Sequence, residues 1–438
     1  MEQIKTKILL LSSGDVNGAY EVIYRLGKHF LSQGYEVKML VKTKTKSDSF
    51  IVTYSDTPKP YKRKNIFNQI LLKIQQKFIE KKTAPKINFD LNYHFISVDE
   101  TSVNVSAKRI LDLVGFIPDF IYSGMTDYFM NSTDLLHLQQ LTNAQVYNIT
   151  VDMNHFTGGC HFAWDCKGYI EGCSNKCPAI VGEYGKDIPK RNFDAKLKNA
   201  MEGNFKILAG SSWTLKQAQE SKIYMNQDVI YNVNSLIDLT LFNIKNKDIS
   251  KRIFDLNKDK FYILMGCQNA KDKRKGFDYL VESLKILEKR LSPSEKSKIE
   301  VIIVSRDVSE AFDEIPFIKK HIDYIKDYRL LALLYQSVDV FVNSSIEDSG
   351  PLMVSEALAC GTPVVGFDMG IVNNLVITDF NGYKAKLKDS EDLANGMKQI
   401  FNLSESEYDN FSRNAFKMIE KFSSMESADK IFDEIHDS

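Results

Sequence analysis

The sequence predicts an α/β protein built from two doubly wound domains, and three observations carry that prediction. The chain has 438 residues, too many for one small core and suited to two domains of roughly 200 residues each. It opens with a strand–loop–helix–strand unit over residues 7–41, the kind that builds a parallel sheet with helices on both faces. A second such unit, strand–turn–helix–strand, spans residues 341–370.

The elements follow in order. Lys7–Leu11 is an apolar run read as a buried strand, and residues 12–18, SSGDVNG, form a loop. Val22, Ile23, Leu26, Phe30 and Leu31 recur at helical spacing over residues 19–33, Gly34 ends that helix, and Tyr35–Val41 is the next strand. Residues 43–58 read as an irregular loop. Residues 61–82, YKRKNIFNQILLKIQQKFIEKK, read as a helix with an apolar stripe and basic ends. Such a helix packs on the core or lies on an anionic membrane surface. Further strands are expected at Asn92–Ser97, Phe120–Tyr122, Val146–Thr150 and Lys206–Ala209, then an amphipathic segment at Ser212–Glu220 and a strand at Asp228–Asn232. The polar stretch Asn234–Asp238 is read as the crossover into a second domain. That domain starts with a strand at Phe261–Gly266 and a helix at 276–290, with strands at Glu300–Val304 and Val338–Val342, a short helix at Leu330–Ser337, and one or two helices in residues 406–437.

Composition narrows the function. Lys+Arg and Asp+Glu both number 57, so nothing pulls the whole chain toward nucleic acid. No apolar run reaches 18 residues, the length needed to span a bilayer. The first apolar segment, Ile8–Leu11, is too short for a signal-peptide core. A cytoplasmic, reducing location is expected, at or near the inner face of the cell membrane if the basic helix meets lipid.

Chemistry concentrates in three stretches. In residues 341–370, two acids, Glu347 and Asp348, precede the turn Ser349-Gly350-Pro351-Leu352, and a helix follows bearing Glu356. Backbone N–H groups at a helix start attract phosphate, and a carboxylate accepts hydrogen bonds from a sugar diol, a pairing that suits a sugar nucleotide. After the strand at 261–266, Lys271, Lys273, Arg274 and Lys275 put four cations in five residues at a strand-to-helix junction, which suits a diphosphate. The third stretch, residues 149–180, holds Cys160, Cys166, Cys173 and Cys177 in the spacing C-x5-C-x6-C-x3-C, with His155 and His161 nearby. Four thiols so close admit a structural tetrahedral Zn²⁺, reduced thiols or disulfides, and a reducing location favours zinc over disulfides.

The run Glu356-Ala357-Leu358-Ala359-Cys360-Gly361-Thr362-Pro363-Val364-Val365 resembles the donor-site signature of glycosyltransferase family 4, retaining enzymes of the GT-B fold. The family shows two acids separated by seven residues. Asp348 has that spacing to Glu356, and Glu347 lies one residue further off. The cysteine-rich stretch, with its Asp-Met and Thr-Gly-Gly-Cys-His, is similar to a branch of that family from bacterial exopolysaccharide and colanic-acid-type biosynthesis. That branch has a histidine just before the Asp-Met pair, where Val151 stands here. The crossover is similar to the family's Pro-Asn-Gly-Ile-Asp hinge, without its proline and glycine.

The resemblance implies two Rossmann-like domains facing a central cleft. An acceptor-side domain of 1–233 would carry a Cys-rich insert at 160–177, a nucleotide-sugar domain would cover 234–410, and a C-terminal helix in 411–438 would cross back. It implies Lys275 as the phosphate-binding lysine, with Ala270 where the family has arginine, so that Lys273 or Arg274 substitutes. Glu347, Asp348, Ser349, Gly350, Pro351, Leu352 and Glu356 would complete the donor site, and the loop of Gly14, Asp15, Asn17 and Gly18 would face acceptor or donor sugar. His155, with Asp152, is the expected cleft histidine, His161 being the other candidate. Catalysis would need no metal, the departing phosphate taking the acceptor's proton. The expected partners are a UDP- or GDP-sugar donor and a glycan or lipid-linked acceptor. The competing readings are a non-catalytic GT-B scaffold in a polysaccharide assembly complex and a sugar-nucleotide epimerase.

Overall fold

The computed structural model describes residues 5–16, 18–55, 87–96, 98–227, 229–232 and 236–437. The expected basic helix at 61–82, Asn17 and residues 233–235 of the crossover lie outside them.

Ile8, Leu9, Leu10 and Leu11 are all fully buried, because a parallel strand covered on both faces has no polar side to alternate with. They form β1 (Lys7–Ser12) at the centre of a seven-stranded sheet. With β2 (Glu36–Val41), β3 (Ile51–Thr53), β4 (Asn88–Phe89), β5 (Phe120–Ser123), β6 (Gln145–Ile149), β7 (Ile180–Val181), β8 (Lys206–Ala209) and β9 (Val229–Asn232), the first sheet runs β3-β2-β1-β5-β6-β8-β9, every pair parallel. The helix Gly18–Ser32 returns the chain from β1 to β2. β4 and β7 pair separately and antiparallel, beside the cysteine-rich stretch.

The second sheet repeats the plan. β10 (Phe261–Cys267), β11 (Ile299–Ser305), β12 (Ile318–Asp323), β13 (Val340–Asn343), β14 (Val364–Phe367) and β15 (Gly382–Ala385) run in the order β12-β11-β10-β13-β14-β15, again all parallel. Strand order reverses beside β1 in one sheet and beside β10 in the other. In such sheets ligands bind where the order reverses, outside the strands' carboxyl ends. The loops after β1, β5, β10 and β13 therefore frame the cleft between the domains.

The tail divides by burial. Glu405–Phe422 packs Ala415, Met418 and Ile419 on the second domain, whereas Met425–Asp437 packs Ala428, Phe432 and Ile435 among Ile8, Leu10 and Phe30 of the first. The outgoing and returning crossovers meet, with Ile237 N–H donating to Ser423 O at 2.9 Å. Among the described residues no helix is long and apolar enough to cross a membrane.

Two expectations fail locally. Residues 91–93 form a 3-10 turn instead of a strand, because the Asp90 side chain accepts from Asn92 N–H at 2.9 Å and competes with strand pairing. Residues 51–53, read as loop, are drawn into β3 by pairing with β2.

Candidate functional site

A cleft of about 1230 Å³ lies between the sheets, and residues from both domains line it. Lys273, Arg274 and Lys275 reach it from the turn after β10, and Asp348, Ser349, Gly350, Pro351, Leu352 and Glu356 from the unit after β13. Because β10 and β13 are neighbours, these loops are stitched together: Ser344 Oγ donates to Lys275 O at 2.8 Å, and Ile346 N–H to Arg274 O at 2.7 Å. Gly276 makes the approach possible. Its φ is +59°, and a Cβ there would lie 1.9 Å from Ser344 O. Gly276→Ala should therefore cost at least about 2 kcal/mol, from left-handed strain of roughly 1–2 kcal/mol plus the clash. Thermal melting should register it.

Lys275 Nζ pairs with Asp348, whose second oxygen accepts from Gly350 N–H at 3.2 Å. Burial pushes the Asp348 carboxyl up, but the charges of Lys275 and then Arg274 outweigh it and hold it below the usual range. The helix Leu352–Ala359 starts at Pro351 with no side-chain cap, so its first N–H groups are available at the cleft edge. Glu356 Oε1 meets Arg25 Nη2 of the first domain at 2.7 Å, and Tyr335 O–H donates to Oε2 at 3.3 Å.

Glu347 does not line the cleft. It is 8 % exposed beside Arg274. Burial, then the Asp348 charge, raises its pKa to about 7. The structure thus brings Asp348, not Glu347, to the site. The folded chain holds a proton on Glu347 that the unfolded chain releases near pH 4.5. Stability should fall as pH rises from about 4.5 to about 7, and Glu347→Gln should remove that part of the slope in melting temperature against pH.

On the opposite wall the histidine expectation changes. His155 Nε2 donates to Gly124 O at 3.1 Å and faces a separate small cavity of about 30 Å³ with Glu100 and Lys196. Burial lowers its pKa to about 4, so it is neutral there. Of the two expected candidates His161 lines the cleft, as does His94, and the His161 Nδ1 lies 2.7 Å from Asp152 Oδ2. Burial pushes the Asp152 carboxyl up, but His161 outweighs it and holds it low. Nothing in the spacing distinguishes the two histidines. The loop's path does, since His161 N–H is held by Tyr93 O and Met153 N–H by His161 O.

The loop after β1 is corrected as well. Asp15 is fully buried, accepting from the N–H groups of Thr45 and Lys46 at 2.8 Å each, so it fastens residues 45 and 46 and does not line the cleft. Gly14 packs under the Tyr20 ring. Gly18 alone of the described expected loop residues lines the cleft, joined by Tyr20 and Glu21.

The four cysteines are free thiols in one neighbourhood. Burial and then the neighbouring thiols raise the pKa of Cys160, and burial lifts Cys173 to about 12 and also raises Cys177. As they stand, no three His, Cys, Asp or Glu side chains among the described residues are arranged to hold a metal ion. The loop does have a second role: Phe162 lies under the Arg274 guanidinium, 3.8 Å from ring centroid to carbon, bridging the domains at the cationic turn.

Residues 246–418 match the family of glycosyl transferases group 1. The match covers the second domain, with Lys275, Asp348 and Glu356. The whole chain has the GT-B fold. It is similar to sucrose-phosphate synthase from Thermosynechococcus elongatus (TM-score 0.63, 15% identity, 99% of this chain and 98% of that one). It is also similar to HepE of Anabaena, solved with UDP-glucose (TM-score 0.60, 14% identity, 98% and 99%). A third likeness is to WaaG, a glycosyltransferase involved in lipopolysaccharide biosynthesis (TM-score 0.59, 11% identity, 97% and 99%). No curated protein matches the sequence.

Proposed function

We propose that this protein is a retaining glycosyltransferase that moves a sugar from a nucleotide sugar, UDP- or GDP-linked, to a glycan or lipid-linked acceptor in cell-surface polysaccharide synthesis. One observation carries the reading: Lys275, the open helix start at Leu352 and Glu356 face a single cleft from one domain, with His161 and Asp152 opposite. A diphosphate laid between Lys275 and the N–H groups near Gly350 would find its charge matched, and Glu356 would sit where a ribose diol can reach it. Breaking the sugar–phosphate bond sends negative charge onto the diphosphate. Lys275 and those N–H groups stabilise that charge as it grows. Holding donor and acceptor together supplies the rest, by proximity. The departing phosphate oxygen takes the acceptor's proton, and the carboxylates bind without attacking. This chemistry draws only on cations that the chain supplies. The protein would act at the inner membrane face, where a lipid-linked acceptor is presented.

Isothermal titration with UDP, GDP and ADP tests the reading. Binding of at least one, followed by mass-spectrometric detection of a transferred sugar, supports it. Binding of none refutes it. HepE was solved with UDP and with UDP-glucose, which makes UDP the first compound to try.

A further inference from the structure

We propose that Arg25, from the first domain, positions the Glu356 carboxylate for the ribose diol of the nucleotide, so that the donor's sugar-binding acid is assembled only when the two domains meet. The inference rests on the function proposed above and deepens it.

Arg25 lies on the helix Gly18–Ser32, yet its guanidinium is buried in the second domain's wall. Nη2 meets Glu356 Oε1 at 2.7 Å, Nη1 donates to Leu236 O at 3.4 Å, and Nε lies 3.6 Å from Glu21 Oε1. Its plane sits near the rings of Tyr328 and Phe242, 5.4 and 5.8 Å from their centroids. Glu21 in turn pairs with Lys46 at 2.9 Å. The chain Lys46–Glu21–Arg25–Glu356 thus alternates in sign, and each charge in it has a partner. Tyr335 O–H takes Glu356 from the other side at 3.3 Å.

A carboxylate offers about four lone-pair directions. Arg25 and Tyr335 occupy one on each oxygen, which fixes the plane of the group and leaves acceptor capacity on both oxygens while Glu356 lines the cleft. A vicinal diol needs two acceptors held in fixed relation: Arg25 holds Oε1 while its other nitrogens are tied to Leu236 and Glu21, and Tyr335 holds Oε2. The Leu236 carbonyl places the same guanidinium at the crossover between the domains, so a shift of one domain against the other moves the group that orients the acid.

The test is a ratio of affinities. Wild-type protein, Arg25→Gln and Arg25→Lys are titrated with UDP and with 2′,3′-dideoxy-UDP, which keeps the base and diphosphate but lacks the diol. If the inference holds, wild type prefers UDP, and Arg25→Gln weakens UDP by about tenfold or more while its dideoxy-UDP affinity stays within about twofold. Arg25→Lys, which keeps charge and loses the fork, should retain part of the preference. An undiminished preference in Arg25→Gln overturns the inference while the donor-site reading stands. Equal loss of both ligands also overturns it, since that is the mark of a clip that merely holds the domains. If Arg25→Gln does not fold, Arg25→Lys decides: a reduced preference supports the inference and an undiminished one overturns it. A wild type that binds UDP without preferring it to the dideoxy compound overturns the ribose role of Glu356, and a wild type that binds neither removes the donor site itself.

Discussion

Lys275→Ala is expected to lower sugar transfer about 10²–10³-fold, the scale on which enzymes lose turnover when one charge-stabilising donor is removed from the transition state. The expectation follows from where the side chain stands. Lys275 ends the turn after β10, pairs with Asp348 across the stitched loops and lines the cleft. Its ammonium is a point charge that a phosphate can share, and the developing negative charge on the leaving diphosphate strengthens that attraction as the bond breaks. Asp348 remains beside Arg274 in the variant, so the loops keep one cation and the fold should hold. Steady-state assays of transfer or of donor hydrolysis give the number. The larger loss should fall on kcat rather than on KM, because the contact is worth more in the transition state. Lys275→Arg should recover part of the rate. A Lys275→Ala enzyme within about threefold of wild type would refute the assigned role.

Glu356→Ala should be costly in a second currency, stability. Glu356 is 3 % exposed and its partner Arg25 8 %. Removing one member of a buried pair leaves the other charge stranded, at about 3–5 kcal/mol. For domains of this size that corresponds to a fall in melting temperature of roughly 10 °C. Glu356→Gln keeps the volume and one carbonyl acceptor for Arg25, and it should lose less stability than the alanine variant while still losing transfer, because an amide offers the diol one acceptor oxygen instead of two. Differential scanning calorimetry beside an activity assay separates the two effects. A Glu356→Ala protein that melts with wild type would mean that the bridge across the cleft does not form in solution.

The unevenness of what the sequence revealed has a physical pattern. The parallel strands were readable because burial on both faces demands continuous apolar runs, as in Ile8–Leu11 and in residues 340–342 and 364–365. The cleft loops after β10 and β13 were readable because their chemistry is local: four cations at a strand end, and a turn followed by a helix with one acid. The errors sit where a long-range partner decides. Asp15, in a glycine-containing loop, looked like a cleft residue, but the backbone of Thr45 and Lys46 claims it. Arg25, in an amphipathic helix, carries no local signal of its role, because its partner Glu356 lies 331 residues away.

The amino-acid order by itself determined that this is a two-domain α/β chain with a cationic turn at 271–276 and an acid at 356 behind a glycine turn, since periodicity, glycine placement and local charge are properties of neighbouring residues. Only the tertiary structure decided which histidine faces the cleft, which of two adjacent acids joins Lys275, and that an arginine from the first domain holds Glu356. Those outcomes depend on which side of a loop or helix is turned toward another element, and a side chain's direction is set by packing between distant segments.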